Sequence, residues 1–158
     1  MKKQGIIAIA VAAADQLIKA YVRSLPEGET FFEISGVVLL EHRLNTGAAF
    51  SLLSGYTGII ALISIVLLSA IVIVVSRYLR LTASGSIAIQ CLIGGGIGNL
   101  LDRLFYAGVT DYIRLLFVPF PVFNLADIAI TVSIIVLLIL LLTDHLEETV
   151  EGECGSDN

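Results

Sequence analysis

The sequence predicts an all-α membrane protein in which four helices cross the bilayer and a short strand-forming segment lies on one side. Three observations predict it. The 158 residues are 57% hydrophobic and the mean hydropathy is +0.96, whereas a soluble domain has only ~45–50% apolar residues even counting glycine. Four apolar stretches approach the ~20 residues needed to span ~30 Å of hydrocarbon. Within hydrocarbon the backbone must bond to itself, so those stretches are helices.

The first stretch, Gly5–Val22, follows Lys2 and Lys3 and contains Asp15, Gln16 and Lys19. Those polar residues argue against a cleaved leader and for a retained helix. The second, Gly58–Val75, and the fourth, Leu125–Leu142, are almost purely apolar. The third, Ser84–Leu101, carries Gln90, Asn99 and a run of glycines: Gly94, Gly95, Gly96 and Gly98. No strand precedes that run and no Lys follows it, so it is no phosphate loop. It reads as a surface another helix can approach closely. The domain spans residues 1–143.

Short loops carry the orientation signal. Lys2 and Lys3 flank the first helix, and Arg77 and Arg80 the link between the second and third. That side is cytoplasmic, and with four crossings both termini lie there. Two segments then face outward. Arg23 to Thr57 is too long to be a simple connector, and its Phe31–Arg43 region, rich in Val, Ile, Phe and Leu, reads as one or two short strands. Leu101 to Phe123 is the second outer segment.

The net charge of −5 belongs to the tail. Residues 144–158 hold six acids and no Lys or Arg, which predicts a solvated, disordered cytoplasmic segment. No basic run suits nucleic acid. Cys91 and Cys154 make no disulfide framework. His42 and His145 are the only histidines, and no zinc-ligand spacing appears, so no metal is expected. A Ser–His mechanism is disfavoured, because no GxSxG motif is present.

Ionisable residues inside a membrane are costly and are therefore candidates for function. Asp15 and Lys19, four apart, share a helix face; they neutralise one another, orient other polar groups or take a direct catalytic part. Asn99, Asp102 and Arg103 cluster at the outer end of the third helix, as an interfacial cap or as part of a site. Asn124 and Asp127 have the form of ordinary helix-start chemistry, and Asp111, 16 residues before Asp127, could be a solvated loop acid. Together, however, Asp111 and Asp127 fall at one membrane level, where two carboxylates can converge on one water. Such a pair shares a proton, so one member is a base for water and the other an acid. A transporter or channel that relays protons or ions through Asp15, Lys19 and Asp127 is one alternative, but no internal repeat supports it; a non-enzymatic membrane assembly factor, in which Asp111 and Asp127 would be replaceable by Asn, is another.

Five ordered motifs resemble those of the lipoprotein signal peptidase (signal peptidase II) family of bacterial membrane aspartyl peptidases. They are Asp15-Gln16-Leu17-Ile18-Lys19, Asn45-Thr46-Gly47-Ala48-Ala49-Phe50-Ser51, Gly95-Gly96-Ile97-Gly98-Asn99-Leu100-Leu101-Asp102-Arg103, Val109-Thr110-Asp111-Tyr112-Ile113 and Phe123-Asn124-Leu125-Ala126-Asp127. The match runs from about residue 5 to residue 143. The resemblance implies Asp111 and Asp127 as the catalytic dyad. It implies Asn45, Asn99, Arg103 and Asn124 as residues lining the substrate pocket. Asp15, Lys19, Gly47, Ala48, Gly95, Asp102 and Ala126 are the expected structural or orienting residues. It further implies a monomeric enzyme of the bacterial cytoplasmic membrane with its active site at the outer face. That enzyme cuts diacylglyceryl-modified prolipoproteins before the lipidated cysteine, contacts membrane lipid, needs no cofactor and is inhibited by globomycin. An extracytoplasmic β-cradle near residues 31–43 and a small mobile helix within Ala48–Tyr56 are expected with it.

Overall fold

The computed structural model describes residues 5–47, 53–143 and 145–146. Lys2, Lys3, Ala48, Cys154, most of the small helix expected within Ala48–Tyr56 and nearly all of the acidic tail lie outside the described residues. The elements run α1 (Ile6–Arg23), β1 (Thr30–Ile34), β2 (Val38–Asn45), α2 (Thr57–Tyr78), α3 (Ala83–Tyr106), β3 (Val109–Leu115) and α4 (Leu125–Leu142).

All four expected helices are present. Of these, α2, α3 and α4 are long and apolar enough to cross a membrane. The 18-residue α1 has the same length as α4 but carries Asp15, Lys19 and Arg23. Its charges point inward, since Asp15 and Lys19 are fully buried, while Ile9 and Leu17 on its outer surface are 71% and 73% exposed. The outer surfaces of α2 and α4 are likewise apolar and exposed, with Leu62, Val66, Leu138 and Leu142 among them. Lipid, rather than water, is the solvent such surfaces suit.

α3 is the hub, and its glycines explain why. A Cβ on Gly94 would sit 2.6 Å from the Ala8 carbonyl oxygen of α1. A Cβ on Gly95 would sit 2.6 Å from the Ala126 carbonyl oxygen of α4, and one on Gly96 would sit 2.7 Å from Leu68 of α2. The backbones of α1 and α4 therefore approach to distances that only glycine admits, as the small-residue run predicts, while α2 meets Gly96 through the movable end of the Leu68 side chain.

Two expectations are corrected. The third helix runs beyond its expected end at Leu101 to Tyr106, so Asp102 and Arg103 lie within it, in keeping with their helical spacing from Asn99. The outer sheet has three antiparallel strands in the order β1-β2-β3, whereas strands were expected only within Phe31–Arg43. β3 comes from the second outer segment. Its pattern is four buried residues in a row, Val109 to Tyr112, without the polar–apolar alternation that marks a half-exposed strand. β1 and β2 form a hairpin turning at Gly36, whose φ of 72° suits glycine. β2 pairs with β3 through Leu40↔Ile113 and Arg43↔Asp111. Between these pairs β2 advances three residues and β3 two, so β2 carries a one-residue bulge.

Candidate active site

Asp111 comes from β3 and Asp127 from the first turn of α4. Both line one cavity of about 860 Å³. The loop into α4 is held against the sheet, because Phe123 exchanges backbone hydrogen bonds with Ile113 and its carbonyl also accepts from the Tyr112 N–H. The Leu125 N–H donates to the Tyr112 hydroxyl at 3.1 Å, an otherwise free donor at the helix start. Burial pushes the Tyr112 phenol up to about 12, so it stays protonated. β3 and the start of α4 thus form one unit, which carries both acids.

Asparagine amides surround the two carboxylates. Asn124 and Asn45 donate through Nδ2 to Asp111 Oδ1 and Oδ2 at 2.7 and 3.0 Å. Asn99 Nδ2 donates to Asp127 Oδ1 at 2.7 Å. The Asn124 backbone N–H reaches Asp127 Oδ2 at 3.2 Å, completing a reciprocal cap on α4.

Each amide is oriented by a group that can only donate. The Gly47 N–H donates to Asn45 Oδ1 at 3.0 Å. The Asp127 N–H donates to Asn124 Oδ1 at 3.0 Å. The Lys19 ammonium donates to Asn99 Oδ1 at 2.8 Å. With each oxygen so engaged, every NH2 must face a carboxylate.

Asp111 is 2% exposed. Burial is the main cause raising its pKa to about 7, and the negative charge of Asp127 adds to it, while the Asn45 and Asn124 hydrogen bonds oppose it. Near neutrality the Asp111 carboxyl is therefore poised between its protonated and ionised forms.

A second layer lies behind. Lys19 Nζ is 2.9 Å from Asp15 Oδ2 and 3.2 Å from Asp102 Oδ2. Asp15 Oδ1 accepts the Ala126 N–H at 3.1 Å, another free amide at the start of α4. Asp102 also accepts from the Thr110 N–H at 2.8 Å and pairs with Arg23 at 3.1 Å. α1 thus ties α3 to both acid-bearing elements. Asp15 and Lys19 are thus in ion-pair contact with each other and also bonded to Ala126 and Asn99 respectively.

Of the remaining expected residues, Asn45, Asn99 and Arg103 lie on the cavity wall. Arg103 does not pair with Asp102; it donates to the Asn99 and Gly47 carbonyl oxygens at 3.1 and 3.3 Å. Asn124, expected on the pocket lining, is fully buried and touches the acids from behind. Gly95 and Ala126 form the α3–α4 contact. Gln16, Arg23, Thr110 and Tyr112 take part without having been singled out. Gln16 donates to Asp102 at 2.8 Å. Arg23 also stacks over Tyr106, 4.1 Å from the ring centroid. Gln16, Thr110 and Tyr112 stood inside the quoted motifs, which was the available signal. Among the described residues no group of three His, Cys, Asp or Glu could hold a metal ion.

This fold and site are those of a membrane-embedded enzyme. A solved structure described as a bacterial membrane enzyme superposes with a TM-score of 0.84 at 28% identity, over 99% of this chain and 96% of that one. A second so described gives 0.81 at 30% identity, over 91% and 95%. A family model described as signal peptidase (SPase) II matches residues 7–143. The lipoprotein signal peptidase of Streptococcus pneumoniae is 34% identical over 92% of this chain and 98% of that protein. That of Streptococcus pyogenes serotype M1 is 38% identical over 89% and 95%. The chain belongs to the signal peptidase II family, a family of proteases.

Proposed function

We propose that this protein is an aspartic endopeptidase that removes signal peptides from diacylglyceryl-modified prolipoproteins by cutting before the lipidated cysteine. The observation carrying the proposal is the pair Asp111 and Asp127 on one cavity wall, each held by oriented amide donors. The ionised member takes a proton from water, whose oxygen attacks the scissile carbonyl carbon. The protonated member donates to the carbonyl oxygen. Collapse of the tetrahedral intermediate breaks the C–N bond, and the amine leaves with a proton from the dyad. Either carboxyl could serve as base or as acid in these steps, so neither residue is assigned one role.

The substrate is a membrane-anchored chain, which suits this cavity. Part of its wall is α4 residues Ile128, Ile130 and Val132, on a helix apolar enough to lie in lipid. α1 is the fourth span, its charges satisfied inside the bundle. Four spans put both termini on the cytoplasmic side and the dyad at the outer face of the bacterial cytoplasmic membrane. The enzyme acts as a monomer, and globomycin-type inhibitors occupy the cavity. Purified protein should cleave a lipidated precursor peptide, and Asp111→Asn and Asp127→Asn should each abolish turnover while remaining folded. Near-normal cleavage by either variant overturns the dyad.

A further inference from the structure

The β2 bulge has a chemical effect. Continued without it, the Leu40↔Ile113 register would set His42 opposite Asp111. With it, Arg43 takes that place. Directly paired residues share a sheet face, so Arg43 stands on the face of Asp111 and lines the same cavity, while His42 meets the Leu25 carbonyl through Nδ1 at 2.8 Å. Arg114 of β3 lines the same cavity as Arg43.

Both arginines are anchored to Glu41, which is only 3% exposed. Glu41 Oε2 is 3.3 Å from Arg43 Nε, and Oε1 is 3.2 Å from Arg114 Nη1. Arg43 spends only Nε on this contact and Arg114 only one Nη. The remaining guanidinium N–H groups have no partner among the described residues, and the side chains are 49% and 44% exposed. Two cations on one buried anion leave a charge of +1 with fork geometry suited to a carboxylate.

We propose that Arg43 and Arg114 form a subsite for an acidic side chain of the substrate, in the segment just after the lipidated cysteine. This rests on the peptidase reading. The occupant is the substrate because the arginines share the cavity of the dyad. It is the segment after the cut because the arginines stand on the sheet, away from the apolar α4 wall. A signal peptide's apolar core takes the α4 side, and the released chain leaves past the sheet.

The test uses full-length protein in neutral detergent and three lipidated peptides that differ only at the second position after the lipidated cysteine, bearing Glu, Gln or Lys. At low salt the Glu peptide should exceed the Lys peptide in kcat/KM by about tenfold, with Gln between, since each partly exposed charge pair changes the rate a few-fold. About 0.5 M NaCl should shrink that ratio towards one. R43Q and R114Q should each reduce the ratio. The salt measurement needs no variant, so a misfolded mutant leaves the proposal testable. Equal cleavage of all three peptides by the wild-type protein at low salt overturns the subsite but keeps the peptidase. Stimulation by phosphatidylglycerol over phosphatidylcholine, equal for all three peptides, assigns the arginines to a lipid headgroup and also overturns it. Cleavage of none defeats the peptidase reading itself.

Discussion

Asp111→Asn should change how stability depends on pH as well as abolishing turnover. In the folded protein burial and the charge of Asp127 raise the Asp111 carboxyl from 3.8 to about 7. The folded state therefore holds a proton that the unfolded chain has released between those values. The resulting stabilisation is complete below about 3.8 and is lost as pH rises through about 7. Three pH units at ~1.4 kcal/mol each amount to roughly 4 kcal/mol lost across the window. Asparagine does not titrate, so the variant lacks this component. It also points an NH2 at one neighbouring amide donor, which lowers its stability at every pH. The slope is therefore the readout, and the absolute Tm is not. Thermal unfolding in detergent from pH 4.5 to 8 should show wild-type Tm falling more steeply than that of Asp111→Asn. Parallel curves would mean that Asp111 ionises normally and that the shared-proton description of the pair is wrong.

Lys19→Met should destabilise the protein by about 3–5 kcal/mol, because it leaves buried Asp15 and Asp102 short of a counter-charge; adding Asp15→Asn should recover part of the lost Tm. Gly95→Ala drives a methyl to 2.6 Å from the Ala126 carbonyl oxygen and should cost about 1–3 kcal/mol. Because α4 shifts with it and carries Asp127, turnover of the folded fraction should fall too; unchanged Tm and turnover would show that the helices part freely. Arg103→Ala should raise KM on a lipidated peptide with little change in Tm, since its contacts are with the Asn99 and Gly47 carbonyls at the cavity wall and not with the buried Asp102 network. A variant that melts much earlier yet cleaves normally would make Arg103 a structural residue.

Much was determined by the sequence alone. Long apolar stretches have one backbone solution in lipid, so the four helices and their order were legible, and α4 has the expected bounds. The glycine run announced close helix contacts, because a missing Cβ acts locally whichever helix approaches. The acids Asp111 and Asp127 stood out as a pair because both fall at one membrane level, and the ordered motifs implied the same pair. Tertiary structure decided the rest. β3 was hidden because Val109 to Tyr112 are buried in succession, which erases alternation. Whether Asp15 and Lys19 merely neutralise each other or also orient neighbours depended on Asn99, Asp102 and Ala126, brought from α3 and α4. The aim of each asparagine amide depended on donors as distant as Lys19, 80 residues from Asn99. The place of Arg43 opposite Asp111 turned on a single inserted residue in β2. Local pattern reports how one segment meets its solvent; the partner of a buried polar atom is set by whichever segment packs against it, and spacing within a segment does not encode that.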